Sequence, residues 1–218
     1  MESKKKSIRG GLYLVLDPAK DISILIEKLK QALEGGTEIV QIWNNWREDH
    51  SSTDKEQMIQ AVVMEARKYE APVLINEEWQ LLKRTDLDGV HFDAFPDDIE
   101  RIREEVNRDF IAGVTCSNDL EVVRKAEVHS LDYVSFCAMF PSTSVDSCDI
   151  VHPETVRKAR EMTNLPLFLS GGITSHNMEQ LRDLDFDGVA VISGILSAEA
   201  PAEAATQYKD SMNHLKTE

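Results

Sequence analysis

Eight short apolar runs, each followed by an amphipathic run, extend along almost the whole chain and limit the folds that it can adopt. The first apolar run is "GLYLVLD", and the helix-like run after it, "ISILIEKLKQALEGG", stops at Gly35 and Gly36. Strands that are apolar on both faces are typical of a parallel sheet covered by helices. Eight such pairs predict an α/β fold, a single (β/α)8 TIM barrel.

An internal similarity bears on how the chain is organised. The stretch "LLKRTDLDGVHF" resembles "QLRDLDFDGVAV", and "APVLIN" resembles "LPLFLS", as two half-barrels would require, although βα units can also look alike by coincidence. The rival fold, an open doubly wound sheet, often carries G-x-G-x-x-G after its first strand, whereas this strand ends in "LDPAKD". We predict one domain over 1–218, with the barrel over about 11–215 and a flexible lead over 1–9.

The charge and the cysteines narrow the functional classes. A formal net charge of -15 argues against a nucleic-acid-binding face and against an anionic membrane as partner. No apolar segment after the basic start is long enough for a signal peptide or a membrane span. Cys116, Cys137 and Cys148 are odd in number and lack C-x-x-C spacing, which favours a reducing cytoplasm over disulfides or zinc.

The sharpest local signal is the pair "LSGGIT" and "VAVISGI" after the seventh and eighth strands. Glycines that lead into a helix start expose backbone N–H groups, which can hold a phosphate without a lysine. The candidate phosphate-binding residues are Gly171, Gly172, Ile192 and Ser193. The alternative is that Gly171 and Gly172 only form a tight turn.

Further candidates follow from the rule that active sites of this fold lie at the carboxyl ends of the strands. The candidate substrate pocket comprises Gln41, Trp43, Asn45, His91 and Asp93. Trp43 can either stack on a flat heterocycle or fill space as packing, and Trp46 is expected to cover the loop. His91, late in a strand, is read as a hydrogen-bonded interior histidine in preference to a base.

The blocks "GGTEIVQI", "AGVTCS", "DYVSFCAMFPSTS" and "DGVAVISGI" follow one another in a fixed order together with those quoted above, from about Gly11 to Ala204. This ordered set resembles the thiamine phosphate synthase family. The resemblance implies a transferase of thiamine biosynthesis that joins hydroxymethylpyrimidine diphosphate to a thiazole phosphate, releases pyrophosphate and uses Mg²⁺. The partners so implied are phosphorylated thiazole and pyrimidine substrates, and a homodimer is left open.

Several positions keep the family pattern. Gln41 and Asn76 are retained, Thr115 matches a serine, and Gly172 and Ser193 match the phosphate end. The resemblance implies a catalytic set made of Asn76, Glu77, Thr115, Ser142 and Ser144. Glu77 stands where the family has a magnesium-binding aspartate and is the one candidate metal ligand.

Other positions depart from the pattern, and most of these changes remove positive charge that would bind a diphosphate. Arginine or lysine is expected where the chain has Trp43, Asn45, Glu78 and Val145. A second metal aspartate is expected where Pro96 falls, with only Asp93 and Asp97 nearby. Because departure of a diphosphate needs positive charge in the transition state, these losses predict weak or absent condensation and make Mg²⁺ binding doubtful.

Two other functions remain open at this point. The related thiazole tautomerases carry a catalytic histidine after strand five, where this chain has Ser117. Cys116, adjacent to it, is read as a packed side chain and not as a reactive thiol. The other alternative is a protein that binds a phosphorylated heterocycle, or regulates through it, without chemistry.

Overall fold

Each strand lies parallel to the next, and the eighth pairs with the first to close a barrel, in a computed structural model that describes residues 6–141 and 149–217. The strands are β1 (Gly11–Leu16), β2 (Ile39–Ile42), β3 (Val73–Asn76), β4 (Gly89–Phe92), β5 (Ile111–Cys116), β6 (Tyr133–Cys137), β7 (Leu167–Ser170) and β8 (Gly188–Val191). The helices are α1 (Ile22–Glu34), α2 (Ser52–Arg67), α3 (Ile99–Val106), α4 (Leu120–Val128), α5 (Pro153–Met162), α6 (Ser193–Leu196) and α7 (Pro201–Thr217). The predicted (β/α)8 barrel is confirmed.

The strands are buried on both faces, as the continuous apolar runs required. Their outward side chains pack with the helices in one large core, and their inward side chains form a second cluster inside the barrel. That interior cluster comprises Ile8, Tyr13, Ile39, Leu74, Ile111, Tyr133 and Phe168. Gly113 leaves the space that the Tyr133 ring occupies, since a Cβ there would lie 2.1 Å from the ring.

Two of the amphipathic runs, which we read as a short helix after β3 and a longer one after β7, form short 3₁₀ helices. The segment "EEWQLLKRT" forms a 3₁₀ helix only over Trp79–Lys83, and it follows a left-handed residue, Glu77, with φ 61°. The segment "TSHNMEQLRDL" is helical only over Met178–Leu181. There Asn177 Oδ1 accepts from Thr174 N, and Thr174 Oγ1 accepts from Asn177 N, so these side chains compete with helical hydrogen bonds.

Residues 6–9 of the expected flexible lead lie under the barrel. Ile8 is buried in the interior cluster, and Lys6 Nζ lies 3.1 Å from Asp88 Oδ2. The lead is therefore attached to the base of the barrel from Lys6 onward.

Four carboxylates repeat one contact at that base. Each immediately precedes an even-numbered strand, and both its side chain and its backbone N–H bond to one residue of the strand before it. The four pairs are Glu38 with Leu12, Asp88 with Val73, Asp132 with Ala112 and Asp187 with Leu167, with carboxylate–amide distances of 3.0, 2.9, 2.7 and 2.8 Å. We call these contacts the base clasps. Asp88 and Asp187 hold equivalent places in the two similar stretches, so the repeat noticed in the sequence extends to all four quarters of the barrel.

Two remaining expectations concern membrane and redox state. None of the helices in the described ranges is long and apolar enough to cross a bilayer. Cys116 and Cys137 are not joined in a disulfide, and Cys148 lies outside the described residues.

Candidate functional site

The carboxyl ends of the eight strands form one rim, because all the strands run in the same direction. The rim carries the sequence-predicted residues Trp43, Asn45, Asn76, Glu77, Asp93, Thr115, Gly171, Gly172, Ile192 and Ser193, with Gln41 and His91 just below it. Ser142, Ser144 and Val145 lie outside the described residues. We call this rim, with the space that it surrounds, the mouth.

A continuous line of hydrogen bonds crosses the barrel under the mouth. Tyr13 Oη donates to Gln41 Oε1 at 2.6 Å and lies 2.9 Å from Tyr133 Oη. Tyr133 Oη lies 2.8 Å from His91 Nδ1, and His91 Nε2 lies 2.8 Å from Thr115 Oγ1. All but Thr115, which is half-buried, are buried. We call these five residues the interior chain.

The interior chain contains two residues that the sequence analysis missed. Tyr13 and Tyr133 sit inside apolar strands, where they were read only as hydrophobic positions. The available signal was the phenol itself, because a buried tyrosine hydroxyl usually requires a hydrogen-bond partner. Gln41 and His91, which were singled out, supply those partners.

His91 has the environment of a neutral interior histidine. Burial lowers the pKa of its imidazole from 6.5 to about 4, and its ring stacks against Tyr133 at 5.6 Å between centroids. A base with so low a pKa is weak at neutral pH. The residue is therefore better suited to hold its neighbours in place than to abstract a proton.

A second set of contacts joins the ends of β3 and β4. Asn76, fully buried, donates from Nδ2 to Asp93 Oδ1 at 2.9 Å, and Glu77 Oε1 accepts from the Asp93 backbone N–H at 2.5 Å. Burial raises the pKa of Glu77, and the nearby Asp93 charge raises it further, while the Asp93 N–H opposes both. These groups satisfy one another and do not form an open acidic site.

The same contacts bear on magnesium. One oxygen of Glu77 and one of Asp93 already accept a hydrogen bond from an amide N–H, and Pro96 has no carboxylate to add. Within the described residues, no group of three His, Cys, Asp or Glu side chains could hold a metal ion. Mg²⁺ usually takes one or two carboxylates and completes its octahedron with water and substrate phosphates. Glu77 and Asp93 therefore do not by themselves form an all-protein cage for Mg²⁺, and substrate phosphates would have to complete its coordination.

Trp46 closes the loop after β2 against the loop after β3. Its Nε1 donates to Glu78 Oε2 at 3.1 Å, and Lys55 Nζ donates to Glu78 Oε1 at 2.6 Å. The same ammonium lies 5.0 Å from the Trp46 ring centroid, a cation–π contact. Lys55 is thereby held by Glu78, so its charge is largely neutralised beside the mouth.

Trp43 and Asn45 differ from Trp46 in their surroundings. Trp46 packs against the large core, whereas Trp43 is half-buried and is not among the side chains packed there. Asn45 Nδ2 donates to Asp17 Oδ1 at 3.0 Å. The loop therefore presents an indole and an amide bound to a carboxylate at the mouth.

The glycines after β7 form a turn that holds the segment after β6. Gly171 and Gly172 have φ of 83° and 65°, in the left-handed region that favours glycine. A Cβ on Gly172 would lie 2.6 Å from Pro141 O, and Gly171 O accepts from Phe140 N at 3.0 Å. The tight turn is therefore present. Because this turn also forms part of the mouth, it does not exclude the alternative that the glycines bind a phosphate.

The start of α6 lies beside that turn. Ser170 pairs with Ala190 between β7 and β8, which brings the Gly171–Gly172 turn next to the segment that leads into Ser193. Behind it, Tyr208 Oη donates to Ile173 O at 2.9 Å and fills the space that a Cβ on Gly194 would need. The two loops are therefore held together by α7.

The candidates for tautomerase chemistry take structural roles. Ser117 Oγ donates to Cys137 O at 3.4 Å. Cys116 is buried, and this burial raises the pKa of its thiol to about 12, with the Asp119 charge adding to the effect. A thiol with that pKa is almost wholly protonated at neutral pH and is a poor nucleophile.

Comparisons with known proteins agree with this geometry. Residues 12–195 match the family model described as thiamine monophosphate synthase. A thiamine-phosphate synthase from Geobacillus kaustophilus is 31% identical over 211 residues, covering 96% of this chain and 95% of that protein. Its counterpart from Methylobacillus flagellatus is 32% identical over 203 residues, covering 93% and 95%. The solved thiamine phosphate pyrophosphorylase from Pyrococcus furiosus superposes with a TM-score of 0.80 at 23% identity, over 95% of this chain and 97% of that one, and so supports the fold. The chain belongs to the thiamine monophosphate synthase family.

Proposed function

We propose that the chain binds a phosphorylated thiazole at the ends of β7 and β8, and condenses it with hydroxymethylpyrimidine diphosphate only slowly. The observation that carries the proposal is the chemistry of the mouth after β2 and β3. Where the family resemblance leads one to expect cations for a diphosphate, the chain has Trp43, Asn45 bound to Asp17, and Glu78 bound to Lys55. Residues 142–148, "STSVDSC", add no lysine or arginine.

Binding of a single phosphate does not depend on those missing cations. The turn at Gly171 and Gly172 and the start of α6 can offer backbone N–H donors, which favour an anion at a helix start. Their mutual placement is supported by the β7–β8 register and by Tyr208. A phosphorylated thiazole is therefore the substrate whose recognition this chain retains best.

The thiazole phosphate should bind at least about tenfold more tightly than the dephosphorylated thiazole. Hydrogen bonds to a charged group contribute about 1.5–3 kcal/mol each, and about 1.4 kcal/mol corresponds to a factor of ten. Isothermal titration calorimetry measures both affinities. Equal affinity for the two thiazoles would contradict a phosphate site.

Substitutions at the two ends of α6 locate that site. Ser193→Asp adds a negative charge at the helix start and should weaken phosphate binding about tenfold through repulsion. Ser197→Asp adds the same charge to an exposed residue after the helix, and serves as the matched control. Gly172→Val is a poorer test, because its side chain would also displace Pro141 and Phe140.

Restoring the lost cations should raise diphosphate affinity about tenfold. The change combines Trp43→Arg and Asn45→Lys, at a mouth that carries Glu77 and Asp93, with Val145→Lys, at a position where the family resemblance implies a lysine. Charge-assisted bonds to phosphate would favour a larger gain, but solvent screening at an open mouth reduces it. Calorimetry with the pyrimidine diphosphate, with and without Mg²⁺, measures the change.

A triple variant on the outer face of α2 controls for net charge. Gln57→Lys, Gln60→Lys and Met64→Lys add the same three charges at exposed positions away from the mouth. If the control raises affinity as much as the mouth variant, long-range attraction is sufficient and the proposed subsite is wrong.

A further inference from the structure

Each donor in the interior chain has only one hydrogen to give, so the direction of one hydrogen bond determines the direction of the next. Tyr13 has one hydroxyl hydrogen, and Gln41 Oε1 receives it. The 2.9 Å contact between the two phenols must then be made by the hydrogen of Tyr133. Burial raises the pKa of both phenols above the ordinary range, so neither hydrogen is lost at neutral pH.

The same count continues to the other end. Tyr133 has spent its hydrogen on Tyr13, so the contact with His91 needs a hydrogen on Nδ1. A neutral imidazole has only one N–H, which makes Nε2 an acceptor. The contact of 2.8 Å to Thr115 is then made by the threonine hydroxyl. One direction runs through all four hydrogen bonds, from Thr115 to Gln41.

We propose that the interior chain holds His91 in its Nδ1–H form, and thereby fixes which atoms Gln41 and Thr115 offer to a ligand in the mouth. Thr115 donates its hydroxyl hydrogen to His91, so it can offer only oxygen lone pairs to a ligand. The Gln41 carbonyl accepts from Tyr13, whereas its Nε2 amide donates to no described residue and can donate to a ligand. Tyr13, Tyr133 and His91 are positioning residues, because they act through these two end groups.

The position of the histidine proton tests the proposal without any ligand. Long-range ¹H–¹⁵N correlation spectra of histidine-labelled protein at pH 7 distinguish the Nδ1–H form, the Nε2–H form and the cation. We expect His91 in the Nδ1–H form, with Nε2 unprotonated. A proton on Nε2 would overturn the proposal, and so would a histidinium ion.

Breaking the chain at Tyr13 should change that form. In Tyr13→Phe the hydrogen of Tyr133 is no longer needed at position 13, so it can turn to His91 Nδ1 and move the histidine proton to Nε2. Ile39→Val, which trims the same interior cluster without touching the chain, should leave the Nδ1–H form unchanged. An unchanged histidine in Tyr13→Phe would overturn the coupling. If Tyr13→Phe does not fold, the spectrum of the native protein still decides the proposal.

Discussion

The native chain is expected to release pyrophosphate from hydroxymethylpyrimidine diphosphate and thiazole phosphate at less than about 0.01 per second. Enzymes typically turn over at about one per second or faster, and removal of one preorganised contact to developing charge costs about a hundredfold or more. Here Trp43, Asn45, Glu78 and Val145 stand where the resemblance expects such contacts. Losses within one site do not simply add, so we set the expected effect at the size of a single lost contact.

The measurement is pyrophosphate release at saturating substrates with Mg²⁺. The Geobacillus kaustophilus relative, assayed in parallel, serves as the positive control. Turnover of the native chain at about one per second or faster would show that other groups, such as Arg47 or Lys83, supply the missing charge. Thiazole phosphate binding without any turnover would favour a binding or regulatory protein over an enzyme.

Acid should remove about 3 kcal/mol of folding stability through His91 alone. The unfolded chain takes up a proton at this residue near its ordinary pKa of 6.5, whereas the folded chain does so only near about 4. Stability from this residue is therefore fully present above pH 6.5 and falls as the pH is lowered toward 4. Each unit of pKa difference corresponds to about 1.4 kcal/mol, so the change exceeds a hundredfold in the folding equilibrium constant.

The comparison with His91→Gln isolates this contribution. Urea unfolding at pH 7 and pH 4 should show that the free energy gap between native protein and variant narrows by about 3 kcal/mol in acid. His176→Gln, the same change at an exposed histidine, serves as the matched control. A gap that stays constant would show that His91 ionises alike in the folded and unfolded chain.

The barrel was predictable because the same pattern, an apolar run followed by an amphipathic run, occurs eight times along the chain. Every strand lies in a continuous apolar run, and each run ends before a turn or a helix start. The helix after β7 was overestimated because Thr174 and Asn177 bond to each other and to nearby backbone, a competition that apolar spacing does not reveal. Periodicity therefore located the units well and their local hydrogen bonding poorly.

The mouth was predictable where the family pattern names single residues. Gln41, Asn76 and Thr115 lie at strand ends at or just below the rim, as their places in the sequence implied. The interior chain was not predictable, because it depends on which side chains meet across the barrel. Tyr13 and Tyr133 are 120 positions apart in sequence, and only the closed barrel brings their hydroxyls within 2.9 Å. The partners of Glu78 likewise come from a loop and a helix that no local pattern joins.

The base clasps suggest how this barrel could be divided. Each clasp joins an odd strand to the even strand that follows it, so none links β4 to β5 or β8 to β1. A break in the turn at Asn107, between α3 and β5, would leave two clasps complete in each fragment. A circular permutant that begins at an odd-numbered strand likewise keeps the two strands of every clasp consecutive in its sequence. The clasps thus mark four consecutive quarters of the barrel, and a division between α3 and β5 separates none of them from its partner.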